Sequence, residues 1–328
     1  MKTAFVTGGT GFVGLNLLEQ LQSKGWQVTV LHRANSNLSR LAPFKVALTE
    51  GDITDDQSLL KAIPPKVDVV FHTAANTSVW SKNNRIQERD NVIGTRNVVR
   101  ASLESGAKRL IHTSTWNTFG MVHEVMNEES PQLGFKSWIN YDRTKYQAEQ
   151  EVRQGIREGL DAVIINPSHI IGRYDTHNWA KVVRLIYERR LPGIPPGAGS
   201  FCHAEQVALA HIAAAEKGVC GENYLLGGTD ANFVDVVRIV GELTGRKVPK
   251  RPLPAWLMKL VARVHVIRAG ITGKEPDLTP EAAAMITAHP RIVSDKAERV
   301  LGYRKVPLRD MLEDSYAWLK RAGLLATD

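Results

Sequence analysis

The sequence opens with MKTAFVTGGTGFVG (residues 1–14), and this stretch decides the fold. The run from Ala4 to Thr7 predicts a short buried strand, and glycines follow it at G-x-x-G-x-x-G spacing before an apolar helix. Glycine has no Cβ, so the chain can turn sharply and bring bare backbone close to a ligand. The first-turn amides of a helix favour phosphate groups. The pattern therefore predicts a dinucleotide site, with contacts from Gly8, Thr10, Gly11, Phe12, Val13 and Gly14.

The composition bounds the class of protein. The chain has 328 residues, of which 43% are hydrophobic and 23% charged, as in ordinary globular proteins. The net charge of +8 lies in no basic module, so no nucleic-acid partner is predicted. Two cysteines without metal-ligand spacing predict no metal site and favour a reducing, cytoplasmic compartment. No apolar run reaches the roughly 20 residues that a membrane span needs.

Strands and helices alternate behind the glycines. The predicted strands are 28–31, 45–50, 67–72, 109–112 and 160–166, and the predicted helices are 15–23, 91–105 and 141–158. This alternation predicts an α/β fold, a doubly wound parallel (Rossmann) sheet. Further on, we predict helices at 179–189, 204–217 and 233–244 and a strand at 223–226. We assign 1–168 to a dinucleotide-binding domain, to which 204–228 returns, and 169–203 and 229–328 to a smaller, mainly helical substrate-binding part.

The residues after the second and third strands concern the adenosine end of the cofactor. An acidic residue after the second strand would favour NAD, but His32 stands there and Arg33 follows it. A guanidinium can pair with a 2′-phosphate, so Arg33 favours NADP(H), with NAD(H) as the alternative. Asp52 could accept from the adenine amino group while Ile53 packs on the ring. A turn or N-cap role for Asp52 or Asp55 is the structural alternative.

Two further strand ends carry candidate cofactor contacts. Small residues, Thr73, Ala74 and Ala75, follow the fourth strand and would let a cofactor lie against the backbone. Thr113 ends the fifth strand at the edge where ligands of α/β proteins bind. Residues 116–140 then form a connection too long for a simple turn, which indicates a functional loop.

Thr115, Tyr141 and Lys145 suit carbonyl–alcohol redox chemistry. A ketone that receives a hydride needs a proton at its oxygen, and a phenol can supply it. Tyr141 and Lys145 are four residues apart on one helical face, so the ammonium is expected to lower the pKa of the phenol. The Thr115 hydroxyl could hold the carbonyl oxygen near Tyr141.

These motifs together resemble the extended short-chain dehydrogenase/reductase superfamily, the NAD-dependent epimerase/dehydratases. The matching segments are TGGTGFVG (7–14), GDITD (51–55), HTAA (72–75), TST (113–115), YDRTK (141–145), NPS (166–168) and FCHAEQVA (201–208). The resemblance implies that Tyr141 is the acid/base, that Lys145 also binds the nicotinamide ribose, and that Asn166, Pro167 and Ser168 flank the nicotinamide. It also implies a homodimer through helices 91–105 and 141–158.

Within this superfamily the chain is most similar to the dihydroflavonol-4-reductase-like branch. Sugar-nucleotide epimerases of the superfamily carry an arginine four residues before the histidine of the F-x-H segment, and this chain has Gly199 there. The expected function is therefore NADPH-dependent reduction of a small-molecule ketone or aldehyde. The alternatives are an NDP-sugar epimerase or dehydratase with bound NAD, and a non-catalytic dinucleotide-binding protein.

The substrate pocket is the least defined part of the site. Its candidate residues are Trp80, Trp116, Asn117, His169 and Trp179. Residues 252–271 mix apolar and basic side chains, which fits a lid helix, a membrane-surface helix or ordinary packing.

Overall fold

The computed structural model describes residues 1–121, 125–273 and 275–325. Its strands are β1 (Thr3–Thr7), β2 (Gln27–His32), β3 (Ala47–Glu50), β4 (Val69–His72), β5 (Arg109–Thr113), β6 (Val125–Met126), β7 (Ala162–Pro167), β8 (His169–Ile171), β9 (Ala198–His203), β10 (Asn223–Leu226), β11 (Thr229–Asn232) and β12 (Arg291–Ile292). Its α-helices are α1 (Phe12–Ser23), α2 (Asp56–Ala62), α3 (Asn84–Glu88), α4 (Gly94–Glu104), α5 (Asn140–Arg157), α6 (Trp179–Tyr187), α7 (Ala204–Lys217), α8 (Phe233–Thr244), α9 (Ala255–Thr272), α10 (Pro280–Met285), α11 (Asp295–Leu301) and α12 (Leu308–Arg321).

The central sheet has seven strands in the order β3-β2-β1-β4-β5-β7-β10. Every neighbouring pair in it is parallel, which confirms the predicted doubly wound sheet. The strand order reverses between β1 and β4. In sheets of this kind the ligand crevice opens at that reversal, beyond the carboxyl ends of the strands.

Both faces of the sheet are buried, as its continuous apolar strands require. On one face, Leu15 and Leu18 of α1 and Val207 of α7 pack on Val6 and other residues of the strands. On the other face, Leu59 of α2, Val98 of α4 and Val152 of α5 pack on Phe5 and Leu110. The two helix layers fix the sheet, and therefore the positions of the side chains at its carboxyl edge.

The C-terminal part has its own core and two small sheets. Val183 of α6, Phe233 of α8 and Met311 of α12 belong to one buried apolar cluster. Strand β9 pairs in parallel with β8 and antiparallel with β11, and β6 pairs in parallel with β12. No helix among the described residues is long and apolar enough to cross a membrane.

Several elements differ from the sequence predictions. Helix α1 begins at Phe12 rather than Leu15, because Gly11 serves as its N-cap residue. The first residues of the predicted helix 91–105 lie in a π-helical turn over Arg89–Ile93, and α4 itself begins at Gly94. The predicted loop 116–140 contains β6, whose pairing partner β12 lies far along the chain, beyond the reach of local patterning. Residues 122–124 of that loop, and residues 274 and 326–328 of the predicted substrate-binding part, lie outside the described residues.

Candidate active site

The glycine turn lies between β1 and α1, at the reversal of the strand order. Gly8 has a φ of +72°, and a Cβ there would lie 2.6 Å from the backbone nitrogen of Ala74. The amide of Gly11 donates to the carbonyl of Gly8 at 2.9 Å, and no side chain caps the N-terminus of α1. The first-turn amides are therefore available to an anion, and the turn fits the pyrophosphate of a dinucleotide.

The small residues after β4 form the opposite wall of this turn. Thr73 donates through Oγ1 to the carbonyl of Thr7 at 2.7 Å, and the amide of Ala74 donates to Thr7 Oγ1 at 3.3 Å. These bonds hold the segment Thr73–Ala75 against the end of β1. A larger residue at position 8 would force the two segments apart, so both sequence features describe a single narrow crevice.

The predicted adenosine contacts lie at the ends of β2 and β3. Arg33 is exposed, and its guanidinium has no acidic partner in the described ranges. Its amide donates to Ser36 Oγ at 3.0 Å, which fixes the loop. Asp52 Oδ1 accepts from the amide and hydroxyl of Thr54 at 2.8 and 2.9 Å, so Asp52 forms a turn. Asp55 is the N-cap of α2, which confirms the structural alternative for that residue.

Thr113 has contacts on two helices. Its hydroxyl lies 2.8 Å from Nε2 of His211 on α7. Its carbonyl accepts from Lys145 Nζ on α5 at 2.8 Å. The cofactor contact predicted for Thr113 stays a prediction. The residue contributes by anchoring the catalytic candidate Lys145 through its backbone.

Helix α5 carries Tyr141 and Lys145 on the face turned to the end of β5. Burial lowers the pKa of Lys145 to about 8, although Glu149 opposes this shift. Burial also raises the pKa of Tyr141 to about 12, and the neighbouring Asp142 carboxylate adds to the rise. The expected lowering of the Tyr141 pKa by Lys145 is thus wrong for this structure. Desolvation of the phenol is the largest cause of the rise, and the Lys145 ammonium donates to the Thr113 carbonyl.

Thr115 is held by a chain of hydrogen bonds that ends on Asp142. The Tyr141 hydroxyl lies beside the Thr115 side chain, which opposes the rise in the pKa of Tyr141. Thr115 Oγ1 donates to Asn117 Oδ1 at 3.0 Å, and Asn117 Nδ2 donates to Asp142 Oδ1 at 3.0 Å. Ser137 Oγ donates to the other carboxylate oxygen at 2.7 Å. Asn117 is buried and orients Thr115, and its predicted contact with substrate stays a prediction. Burial raises the pKa of Asp142 to about 6.

Glu149 lies one turn beyond Lys145 on α5, and its side chain is fully buried. Its Oε1 accepts from Ser114 Oγ at 2.5 Å, Thr118 Oγ1 at 3.1 Å and Asn166 Nδ2 at 2.7 Å. Its Oε2 accepts from Gln132 Nε2 at 2.7 Å and Asn223 Nδ2 at 3.1 Å. The carboxylate therefore ties together the ends of β5 and β7, the start of β10 and the loop before α5. Sequence reasoning missed it, although its i+4 spacing from Lys145 was visible.

The side chain of Asn166 belongs to this network. Its Nδ2 also donates to the carbonyl of Thr115 at 3.0 Å, and its Oδ1 accepts from Asn223 at 2.8 Å. The side-chain amide is buried and used in these bonds. That Asn166, Pro167 and Ser168 flank the nicotinamide stays a prediction. Pro167 ends β7 and Ser168 follows it, and the Ser168 amide donates to the carbonyl of Leu226 at 3.0 Å.

An aromatic cluster lies beside the catalytic candidates. The ring of His169 is 6.2 Å from that of Trp116, 5.8 Å from Trp179, 5.5 Å from Phe201 and 6.1 Å from Phe233, measured between centroids. Burial lowers the pKa of His169 to about 4, so the imidazole is neutral near pH 7. The structure thus brings together three of the predicted substrate residues, Trp116, His169 and Trp179.

Gly199 on β9 closes the side of this cluster. A Cβ at position 199 would lie 2.7 Å from Nε2 of His169, so the imidazole occupies the space that a side chain there would need. The arginine expected of a sugar-nucleotide epimerase is therefore absent at position 199, and the His169 imidazole fills the space beside it. Trp80, the remaining predicted substrate residue, lies in the loop after β4, with Lys82 Nζ 5.2 Å from its ring centroid.

Comparisons with known proteins agree with this geometry. Residues 4–227 match the family described as NAD dependent epimerase/dehydratase. A putative dihydroflavonol 4-reductase of Synechocystis is 29% identical over 98% of this chain and 96% of its own length. Sterol demethylase protein B of Methylococcus capsulatus is 29% identical over 98% of this chain and all of its own length.

Solved structures extend the comparison to three dimensions. The crystal structure of gox2253 superposes with a TM-score of 0.85 at 32% identity, covering 99% of this chain and 100% of that one. UDP-glucuronic acid 4-epimerase from Bacillus cereus, in complex with NAD, superposes with a TM-score of 0.77 at 20% identity, which shows a shared fold. The chain belongs to the NAD dependent epimerase/dehydratase family and is an enzyme of the extended short-chain dehydrogenase/reductase type.

Proposed function

We propose that the protein is an NADPH-dependent reductase of ketones or aldehydes with apolar or aromatic substituents. The observation that carries the proposal is the juxtaposition of Tyr141, Thr115 and Lys145 at the carboxyl edge of the sheet. The same edge carries the glycine crevice, which fits a dinucleotide. A hydride source and a proton donor can therefore meet at one carbonyl group.

The reaction needs one hydride and one proton. A nicotinamide dinucleotide, when bound, supplies the hydride to the carbonyl carbon. When substrate binds, the Thr115 hydroxyl turns from Asn117 Oδ1 to donate a hydrogen bond to the carbonyl oxygen. Tyr141 donates its phenolic proton to that oxygen as the C=O bond becomes a C–O single bond. Lys145, fixed on the Thr113 carbonyl at 2.8 Å, stabilises the phenolate that remains.

The electrostatics favour Tyr141 as a donor. With a pKa of about 12 the phenol is protonated throughout the neutral range, so each enzyme molecule starts with the proton in place. An alkoxide is a stronger base than a phenolate, so proton transfer to the reduced oxygen is still downhill. Lys145, with a pKa of about 8, is mainly an ammonium near pH 7 and supports the product of that transfer.

The aromatic cluster around His169 favours an apolar substrate over a sugar nucleotide. A diphosphate needs paired donors, since burying its charge without them is costly. At Gly199 the structure offers the neutral ring of His169 within a cluster of Trp116, Trp179 and Phe201. The relatives named for a dihydroflavonol and for a sterol agree with an apolar ring compound.

Assaying a panel of carbonyl compounds tests this proposal. We expect aromatic and alicyclic ketones or aldehydes to be reduced with oxidation of NADPH, which is followed by absorbance. UDP- and GDP-sugars, tested with NAD under the same conditions, should not be converted. Conversion of a sugar nucleotide without any carbonyl reduction would overturn the proposal in favour of an epimerase or dehydratase.

Arg33 supports a preference between NADPH and NADH. Its guanidinium is exposed at the end of β2 and free of acidic partners in the described ranges, and no carboxylate replaces it at position 32. A 2′-phosphate could pair with it through charge-assisted hydrogen bonds. We therefore assign the protein a preference for NADPH over NADH.

Replacing Arg33 by alanine should weaken NADPH binding by about 1.5–3 kcal/mol, the size of a charge-assisted contact, and should leave NADH binding unchanged. Calorimetric titration of both cofactors measures this. Lys45→Ala, another exposed cation but one that lies before β3 at the opposite edge of the sheet, serves as the control and should change neither affinity. Equal affinity of the unmodified protein for NADPH and NADH would contradict the assignment.

A further inference from the structure

Helix α9 presents an apolar stripe to solvent. Trp256, Leu260, Val264 and Ile267 are spaced by four, four and three residues, so they share one helical face. They are among the most exposed large apolar residues described, at 66%, 50%, 55% and 68%. A surface helix normally turns polar residues outward, and a contiguous exposed apolar patch of this kind marks an interaction site.

The opposite face of α9 is already occupied by the protein. Ala262 and Ala269 are buried, and α9 packs against α10. Helix α9 therefore has two apolar faces, one used in packing and one exposed. Packing within this chain, one interpretation of residues 252–271, explains only the first of them. The side chain of Ile271 lies outside the part of the chain that the structure describes.

Cations flank the exposed stripe on both sides. Lys259 and Arg263 lie along one edge and Arg268 along the other, and the helix contains no acidic residue. Lys259 and Arg263 are exposed and have no acidic partner in the described parts of the chain. Arg268 and His265 lie near the Asp277 carboxylate, and both help to lower its pKa. The uncompensated charge is thus concentrated beside Trp256, Leu260 and Val264.

This combination matches one kind of surface. An apolar stripe bordered by lysine and arginine, with a tryptophan near one end, suits the boundary between headgroups and acyl chains. Anionic headgroups would meet Lys259 and Arg263 while the stripe enters the apolar layer. We propose that α9 docks the protein in the plane of an anionic phospholipid bilayer, without crossing it.

Contacts of the segment after α9 indicate which side of the protein would face the membrane. Ser78 Oγ donates to Glu275 Oε1 at 3.2 Å, which ties this segment to the loop that carries Trp80. Lys181 of α6, two residues beyond Trp179, donates through Nζ to Asp277 Oδ1 at 3.1 Å. The docked helix would therefore hold the Trp80 and Trp179 sides of the candidate pocket at the membrane surface.

Co-sedimentation of the full chain with vesicles tests the proposal. Vesicles of phosphatidylcholine alone are compared with vesicles of phosphatidylcholine and phosphatidylglycerol in equal parts. We expect binding to the anionic vesicles that is weakened at least about tenfold by Lys259→Glu with Arg263→Glu, since each nearby cation contributes several-fold. Trp256→Ser with Leu260→Ser should weaken it at least about tenfold as well, because the buried apolar area is lost.

Matched controls separate specific docking through α9 from general effects of charge and hydrophobicity. Lys24→Glu with Lys45→Glu changes the net charge equally, and Trp138→Ser removes another exposed tryptophan, so both should bind as the unmodified protein does. Circular dichroism confirms that each variant is folded. The proposal would be overturned if the unmodified protein did not bind vesicles, or if the control variants lost as much vesicle binding as the test variants. It would also be overturned if light scattering gave a dimer mass that Trp256→Ser with Leu260→Ser abolishes.

Discussion

Tyr141→Phe should lower kcat for carbonyl reduction by about 10²–10⁴-fold, the usual contribution of a positioned general acid. The substitution removes the hydroxyl that lies beside Thr115 and keeps the ring on α5. The dissociation constant for NADPH should change little, because the crevice is built from the glycine turn and the segment after β4. Steady-state kinetics together with cofactor titration measure the two effects separately.

Tyr146→Phe is the matched control. Tyr146 lies on the same helix and its ring packs against Phe135 at 5.4 Å between centroids, away from the Thr115 hydroxyl. Its hydroxyl has no role in the proposed proton transfer, so the control should retain its rate. A Tyr141→Phe enzyme with a rate close to that of the unmodified protein would remove Tyr141 from the mechanism.

Glu149→Gln should lower the free energy of unfolding by at least about 2 kcal/mol. The new amide group brings N–H donors to a position where five donors already converge, so some of them lose their acceptor. Each buried donor left unpaired costs about 1–3 kcal/mol. Urea unfolding measures the change. We also expect kcat to fall, because Asn166 holds the Thr115 carbonyl from within this network.

Glu151→Gln provides the comparison on the same helix. Glu151 pairs with Arg96 at 2.8 Å, with more than half of the Arg96 side chain exposed. An exposed pair of this kind contributes about 0–1 kcal/mol, so its loss should be small. If Glu149→Gln were no more destabilising than Glu151→Gln, the carboxylate network would not be what fixes the strand ends.

The features predicted from sequence are those that depend on local spacing. The glycine turn, the parallel sheet and the shared face of Tyr141 and Lys145 follow from distances of a few residues along the chain. The predicted strand β10 and helix α8 match the structure at both ends. Such patterns follow from the periods of the helix and the strand, which can be read from the sequence.

The features that could not be predicted depend on which side of a strand end a residue faces. The hydroxyl of Thr113 turns to His211 on α7, and the amide of Asn166 turns to Glu149 on α5. Nothing within a few residues of either position distinguishes these faces. The contact of Gly199 with His169 likewise arises only when β8 and β9 pair.

The pKa of Tyr141 likewise could not be predicted from local spacing. The i+4 spacing of Lys145 was visible in the sequence, but burial of the phenol was not. Desolvation raises the pKa of Tyr141, with Asp142 adding to it, and Lys145 is held on the carbonyl of Thr113. A spacing gives the sign of one interaction, whereas the net shift needs the surroundings of the group.

We propose that this enzyme transfers a hydride from NADPH to its substrate and so oxidises the cofactor. An epimerase would instead take a hydride from its substrate and give it back, with no net oxidation of the cofactor. The most direct measurement uses NADPH with both C4 hydrogens of the nicotinamide replaced by deuterium, together with the carbonyl compound that is reduced fastest in the panel. We predict that mass spectrometry finds one deuterium on the carbinol carbon of the alcohol and one NADPH oxidised per alcohol formed. A product without deuterium, or turnover of a sugar nucleotide with no net oxidation of the cofactor, would contradict the account.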